Sequence, residues 1–207
     1  MTLSPPIPDT FLQLAHVSKH FGGVLAVDRI DWDVRRGEVH CLVGENGCGK
    51  STLIKIVAGT HAPDQGSRIV LDGREFAALT PAVAKDLGVQ VIFQDLSLFP
   101  NLTVAENIAI SEHLEHGAIA VNYTQLRRSA QAVLDRLGFH LPLGAAVADL
   151  SIAERQVVAI CRGLAHQARI LFMDEPTASL TRSEVNALLA IVARLKAQGI
   201  ALSLIHI

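Results

Sequence analysis

The chain has 207 residues, of which 50% are hydrophobic and 18% are charged, and its formal net charge is -2 at pH 7. This length suits one α/β domain, and the charge gives no electrostatic basis for binding nucleic acid or an acidic membrane surface. No apolar run approaches the ~20 residues that a membrane-spanning helix needs. Three cysteines, odd in number and widely separated, argue against a disulfide framework and against a zinc site.

The N-terminal region predicts an unstructured leader followed by strands. Residues 1–10 contain three prolines and lack the pattern of a secretory signal, so we expect a disordered leader and a protein that stays in the cytoplasm. Phe11–Val17 and Ile30–Val34 alternate apolar with polar residues, which predicts strands with one solvated face. Arg68–Arg74 predicts a strand that enters an Asp-Gly turn. These strands indicate an antiparallel β subdomain beside a parallel core.

The most specific motif is a glycine-rich loop between a strand and a helix. The apolar run Val39–Val43 predicts a core strand, residues 44–52 match the pattern G-x-x-x-x-G-K-[ST], and Thr52–Ala58 predicts an amphipathic helix. Glycines let such a loop curl around an anion, so its N–H groups point at phosphate. Lys50 then reaches the β- and γ-phosphates, and Ser51 offers a ligand to Mg²⁺. The predicted phosphate-binding residues are Gly44, Glu45, Asn46, Gly47, Cys48, Gly49, Lys50, Ser51 and Thr52. The alternative is a glycine-rich turn that caps an ordinary helix.

The middle of the chain predicts a helical subdomain. Pro81–Leu87 predicts a short helix, and Val89–Phe93 is an apolar run of strand length that ends at Gln94. Between Val104 and Leu141 only helical or loop patterns occur. One helical face carries Leu126, Val133, Leu134 and Leu137. We therefore predict a helical subdomain over about residues 95–165.

The C-terminal part predicts a capped helix, a buried strand and a further helix. Ser151 is a suitable N-cap for a helix that runs to His166, because Glu154 stands three residues later, as in a capping box. Arg169–Met173 predicts a parallel strand that is buried on both faces. Ser183–Lys196 predicts the next helix, after which the chain starts another apolar strand.

Two carboxylates at the end of the buried strand supply the second chemical motif. Asp174 lies at the strand end, where it can bind the shell of the Mg²⁺ opposite Ser51. Glu175, one residue further, can polarise a water for in-line attack on a γ-phosphate. The alternative is that Glu175 is a simple surface carboxylate. Together with the glycine loop, the pair predicts a site that hydrolyses a nucleotide.

These motifs occur in the order found in ABC-type ATPases, and residues 11–201 resemble that family. The segments that carry the resemblance are residues 44–52, Gln94, Leu150–Glu154 and Met173–Thr177. Phe21–Val24, Val91–Asp95 and Leu150–Ile152 are most similar to the ATPases of ribose-type sugar importers, which have two nucleotide-binding domains in tandem. This chain resembles the first of the two. The resemblance implies an α/β P-loop NTPase fold with a mixed sheet, an antiparallel β subdomain and a helical subdomain.

The resemblance also implies roles for single residues. Phe21 is expected to stack on adenine, although a core aromatic is the alternative. Gln94 is expected to contact the metal shell and the attacking water, the alternative being a hydrogen bond at a strand end. Ser151 resembles the signature serine, which binds the γ-phosphate of ATP held by an opposing domain. The signature departs from the family at Ala153 and Glu154, where glycine and glutamine are usual, and the added methyl group can weaken the composite site.

The function implied is an ATP-binding and ATP-hydrolysing subunit, with ATP and Mg²⁺ as cofactors, that energises carbohydrate import at the cytoplasmic face of the cell membrane. Its implied partners are a second nucleotide-binding domain in a head-to-tail sandwich, membrane permease subunits and, indirectly, an external sugar-binding protein. No nucleic acid is implied. Two alternatives remain: a soluble ABC ATPase acting as a regulatory or translation-linked module, and a P-loop kinase acting on a metabolite.

The end of the chain and the cysteines complete the expectations. His206 is one position short of the spacing of the family's switch histidine. Leu202–Ile207 resembles a translated adapter from sequencing libraries, so we expect a non-native tail, with the final strand missing and a sheet edge open; the alternative is a genuine terminus with a functional His206. Cys41 and Cys161 have apolar neighbours and are predicted to be core thiols. Cys48 should react with alkylating reagents unless ATP protects it.

Overall fold

The computed structural model describes residues 9–45, 47–93, 95–115, 122–165, 168–174, 176–177 and 180–205. The strands are β1 (Thr10–Phe21), β2 (Val24–Arg35), β3 (Val39–Leu42), β4 (Arg68–Leu71), β5 (Arg74–Phe76), β6 (Val89–Ile92), β7 (Ile170–Asp174) and β8 (Ala201–Ile205). The helices are α1 (Lys50–Val57), α2 (Pro81–Asp86), α3 (Val104–Glu115), α4 (Tyr123–Leu137), α5 (Ile152–Ala165) and α6 (Arg182–Ala197). The described strands form an antiparallel sheet of order β2-β1-β4-β5 and a parallel sheet of order β3-β8-β7-β6.

The antiparallel sheet is organised by a long hairpin of β1 and β2. The two strands pair from Thr10 and Arg35 at one end to Phe21 and Val24 at the tip, with several register shifts between them. The predicted strands are confirmed but are shorter than the observed ones, because alternation stops after Val17 while main-chain pairing continues. The hairpin therefore extends well beyond the part that packs on the core.

The parallel sheet is covered on both faces, as the unbroken apolar run in β7 predicts. On one face Ile170 and Phe172 pack in a core with the antiparallel sheet and α1. On the other face Leu171 and Met173 pack against the helices. All four side chains are at most 1% exposed, and each such burial contributes about 1.5–3 kcal/mol to stability. β7 therefore anchors the end at which Asp174 lies.

The predicted helical stretch contains α3, α4 and α5. The four residues expected on one face of α4 are all buried in the core that these helices share: Leu126, Val133, Leu134 and Leu137. The helix begins where the Asn122 side chain accepts a hydrogen bond from Gln125 N, and it ends at Gly138, whose φ is 67°. The subdomain boundaries and the leader remain predictions. None of the described helices is long and apolar enough to cross a bilayer.

Two expectations about the parallel sheet were wrong. The final strand is not missing from the described chain, because residues Ala201–Ile205 form β8, which lies between β3 and β7 with every residue buried. The non-native origin of the tail stays a prediction, and His206 lies outside the described residues. Cys41 is exposed rather than buried, because β3 is an edge strand of its sheet. Cys161 is buried as predicted, and burial raises the pKa of its thiol to about 12.

Ser203 carries a buried hydroxyl in the middle of β8. Its side chain is 0% exposed, and its Oγ has no hydrogen-bond partner among the residues that the structure describes. We expect Ser203→Ala to raise the free energy of unfolding by about 1 kcal/mol, since an unpaired polar group is removed from the interior. Urea denaturation measures the change. Leu202→Ala, on the opposite face, should instead lower it by about 2–5 kcal/mol; a similar loss for Ser203→Ala would contradict the placement of β8.

Candidate nucleotide site

The glycine loop lies between β3 and α1, as the sequence predicts, and two of its glycines have left-handed backbone conformations. Gly47 has φ 85° and Gly49, the N-cap of α1, has φ 93°. A Cβ atom on Gly49 would lie 2.1 Å from the carbonyl oxygen of Ala26 in β2. Only glycine therefore allows the loop to rest on β2 at this point. Asn46, a predicted phosphate-binding residue, lies outside the described residues.

Lys50 folds back over the loop that precedes it. Its Nζ donates hydrogen bonds to the carbonyl oxygens of Gly44 at 2.6 Å and Glu45 at 2.8 Å, and it lies 3.6 Å from Cys48 Sγ. α1 has no side-chain cap and no acidic residue in its first turn. The loop thus combines an ammonium group with N–H groups at a helix N-terminus, which is the donor set that phosphate oxygens need. Ser51 and Thr52 follow in the first turn of α1.

A cavity of 470 Å³ lies between this loop and β2. Its lining comes from β2, the end of β3, the loop and the start of α1, namely Leu25, Ala26, Val27, Asp28, Ile30, Leu42, Gly47, Cys48, Gly49, Lys50 and Leu53. The β2 residues were not predicted as site residues, because strand alternation does not indicate which strand faces a loop. The β2 wall is apolar except for Asp28, and the facing wall carries the predicted phosphate-binding groups.

Phe21 does not line the cavity but lies at the hairpin tip beside it. Leu25, where the lining begins, pairs with His20, the residue before Phe21. The Phe21 ring is 43% exposed, makes an edge contact with His61 at 5.3 Å between centroids, and has Lys19 Nζ 5.4 Å from its centroid. Phe21 is thus partly exposed, as suits an aromatic residue that stacks on a ligand. The core alternative for Phe21 does not hold.

Strand register brings Asp174 to the C-terminal end of the parallel strands, where the glycine loop also begins. Leu42, the last residue of β3, and Asp174, the last residue of β7, both pair with Ile205 of β8. Two strand spacings of about 4.8 Å put their backbones about 10 Å apart. Ser51 and Asp174, which the sequence predicts as metal ligands, thus belong to the same end of the parallel sheet. Glu175 and Gln94, which follow β7 and β6, lie outside the described residues.

Ser151 forms the predicted capping box at the start of α5. Its Oγ accepts from Glu154 N at 3.3 Å, and Glu154 Oε2 accepts from Ser151 N at 2.9 Å and Oγ at 2.8 Å. These bonds, the backbone one first, lower the pKa of the Glu154 carboxyl. A carboxylate therefore already lies at the helix N-terminus and accepts the hydrogen bond of the Ser151 hydroxyl. Ser151 itself is exposed.

Comparison with known proteins identifies a family for this chain. The model of the ABC transporter family matches residues 27–178. A ribose import ATP-binding protein of Rubrobacter xylanophilus is 45% identical over 189 residues, which is 91% of this chain and 38% of that protein. A putative ribose/galactose/methyl galactoside import ATP-binding protein of Burkholderia ambifaria is 44% identical over 207 residues, 96% of this chain and 39% of that protein. The chain thus spans well under half of the curated relatives that it matches.

Solved structures agree with the family match. The ADP conformation of an ATP-binding cassette of an ABC transporter superimposes with a TM-score of 0.83 at 26% identity, covering 95% of this chain and 81% of the other. A nucleotide-free ATP-binding cassette gives a TM-score of 0.82 at 25% identity, covering 96% and 81%. The fold is therefore an α/β P-loop NTPase fold, and the chain belongs to the ABC transporter family of ATP-binding proteins.

Proposed function

We propose that this chain is the ATP-binding and ATP-hydrolysing domain of a carbohydrate importer. The observation that carries the proposal is the glycine loop, with Lys50 folded over it, at the same end of the sheet as Asp174. The relatives are named as ATP-binding proteins for the import of ribose or of ribose, galactose and methyl galactoside. These names support a carbohydrate as the substrate of the transporter. Neither a regulatory or translation-linked module nor a metabolite kinase has an observation in its favour.

The residues present fit MgATP. Lys50 exchanges its bonds to Gly44 O and Glu45 O for bonds to phosphate oxygens, which keeps the ammonium paired throughout. Ser51 and Asp174 would hold Mg²⁺, since a hydroxyl and a carboxylate suit a hard cation. Mg²⁺, when bound, neutralises charge on the phosphates.

The remaining groups act on the attacking water and on the adenine ring of ATP. Glu175 accepts a proton from the water, and Gln94 orients that water. Phe21 stacks on adenine at the hairpin tip, where its ring is exposed.

The exposed Ser151 supports a head-to-tail pair of nucleotide-binding domains. A hydroxyl at the N-terminus of α5 is suited to the γ-phosphate of ATP bound by the opposing domain. Phe93 and Phe99, 39% and 55% exposed, flank the loop after β6 and offer apolar area to membrane permease subunits. An external sugar-binding protein then contacts the permease, and the domain works peripherally at the cytoplasmic face of the membrane.

The test is MgATP binding and phosphate release by the purified chain and by Glu175→Gln. We expect the parent to bind MgATP, and Glu175→Gln to bind it equally well but release phosphate at least about 100-fold more slowly, because the proton acceptor is lost. Calorimetry and a phosphate assay measure the two quantities. Failure of a folded parent chain to bind MgATP would overturn the proposed function.

A further inference from the structure

The helix α5 contacts the backbone of two loops that follow parallel strands. Gln156, 6% exposed, donates from Nε2 to the carbonyl oxygen of Pro176 at 3.0 Å. Arg162 donates from Nη2 to the carbonyl oxygen of Leu96 at 2.7 Å and from Nη1 to that of Ser97 at 2.6 Å. One helix therefore holds both the loop after β6 and the loop after β7.

The spacing of the two side chains on α5 explains how they reach different loops. Gln156 and Arg162 are six residues apart on the helix, so their directions differ by about 120°. Gln156 therefore reaches the loop after β7, and Arg162 reaches the loop after β6. All three bonds go to main-chain carbonyls, so they restrain the backbone path of the two loops.

The loop held by Arg162 has a strained backbone. Leu96 and Ser97 are consecutive non-glycine residues with φ 53° and 47°. Asp95 Oδ1 accepts from Ser97 N at 3.1 Å and from Ser97 Oγ at 2.8 Å. Such a conformation persists only where the surroundings specify it. The planar guanidinium, which bridges two successive carbonyls, supplies that specification, and an ammonium has no equivalent geometry.

Groups of this loop stabilise the positive charge of Arg162. Burial lowers the pKa of Arg162, and the neighbouring charge of Asp95 opposes that shift. The group still remains a cation at neutral pH. A half-buried cation must be hydrogen-bonded, and among the described residues its hydrogen-bond acceptors are the two loop carbonyls.

We propose that Arg162 and Gln156 are positioning residues for ATP hydrolysis: Arg162 fixes the loop that carries Gln94, and Gln156 fixes the loop that carries Glu175. This rests on the proposed function, which assigns Gln94 and Glu175 their roles. Leu96 is two residues after Gln94, and Pro176 directly follows Glu175, so a shift of either carbonyl moves the catalytic residue nearby.

The test compares Arg162→Lys and Gln156→Leu with a matched control on the same helix. Arg155 donates to the carbonyls of Val147 at 3.1 Å and Ala148 at 2.7 Å, and within the described part of the chain its side-chain bonds go to neither loop, so Arg155→Lys loses similar bonds elsewhere. Hydrogen–deuterium exchange follows the loops after β6 and β7, while calorimetry and a phosphate assay give the Kd for MgATP and the rate of hydrolysis.

We expect Arg162→Lys to speed exchange at least about fivefold in residues 95–99 alone, and Gln156→Leu to do so in the loop after β7, because only the local restraint is lost. Phosphate release should fall at least about tenfold in both, with the Kd changed by less than about twofold, since misplacement affects chemistry more than binding. Unchanged loop exchange, or equal effects in Arg155→Lys, would overturn the inference. Loss of MgATP binding by the parent defeats the proposed function instead, and the exchange pattern then still decides whether α5 holds the loops.

Discussion

Replacing Gly49 with alanine should weaken MgATP binding by at least about 100-fold, which corresponds to the loss of two charge-assisted hydrogen bonds. The new Cβ would lie 2.1 Å from the carbonyl oxygen of Ala26, and φ at this position is 93°. The loop must therefore lift away from β2. Lys50 and Ser51 follow immediately in the chain, so their functional groups move with it. Calorimetric titration with MgATP measures the effect.

Gly47→Ala is the matched control for this prediction. Gly47 has a similar φ of 85°, but a Cβ there would meet nothing within 4 Å. The Gly47→Ala variant should lose only about 1–2 kcal/mol of conformational free energy, the cost of alanine in a left-handed backbone conformation. It should retain most of its affinity for MgATP. Equal losses in the two variants would show that the backbone conformation, and not the contact with β2, is what the loop requires.

The three cysteines should give three different results when the folded chain is treated with a maleimide. Cys48 is exposed in the glycine loop and should be alkylated, and saturating MgATP should slow this reaction at least about tenfold because the phosphates cover the thiol. Cys41 is exposed in β3, an edge strand of the parallel sheet, and should react equally with and without nucleotide. Cys161, with its pKa raised to about 12 by burial, should react only after unfolding.

Peptide mass spectrometry distinguishes the three sites in one sample, so Cys41 and Cys161 serve as internal controls. Chain alkylated at Cys48 should also lose MgATP binding, since the adduct fills space beside Lys50. Labelling of Cys48 at the same rate with and without MgATP would contradict the assignment of the loop as the phosphate site.

Local patterns were enough to predict most of the elements and the capping box at Ser151. That box depends on residues three apart, and its bonds are present as expected. The same signal at Thr181 and Glu184 marks the true start of α6, one residue before the predicted helix. β5 was missed because three residues that are mostly exposed carry no periodicity.

Long-range features were not predictable from the same patterns. An apolar run shows that β3 belongs to a sheet, but it does not show that β3 is an edge strand, and so Cys41 was placed wrongly in the core. The bonds from Gln156 and Arg162 go to main-chain carbonyls 20 and 66 residues away at Pro176 and Leu96. Every residue has a backbone carbonyl, so the residue type of the acceptor gives no signal, and no sequence motif predicts such a contact.

The position of β8 has a consequence for how the molecule folds. β3 and β7 have no direct pairing in the described sheet; each is joined to the other only through β8, which pairs Val39 with Leu202 and Ile170 with Ala201. The strand that precedes the glycine loop and the strand that carries Asp174 are thus aligned by the segment that is synthesised after both. During translation the hairpin of β1 and β2 can form early, whereas the nucleotide site has to wait for β8. Such non-local pairing slows folding, and it makes assembly of the site a late event on the pathway.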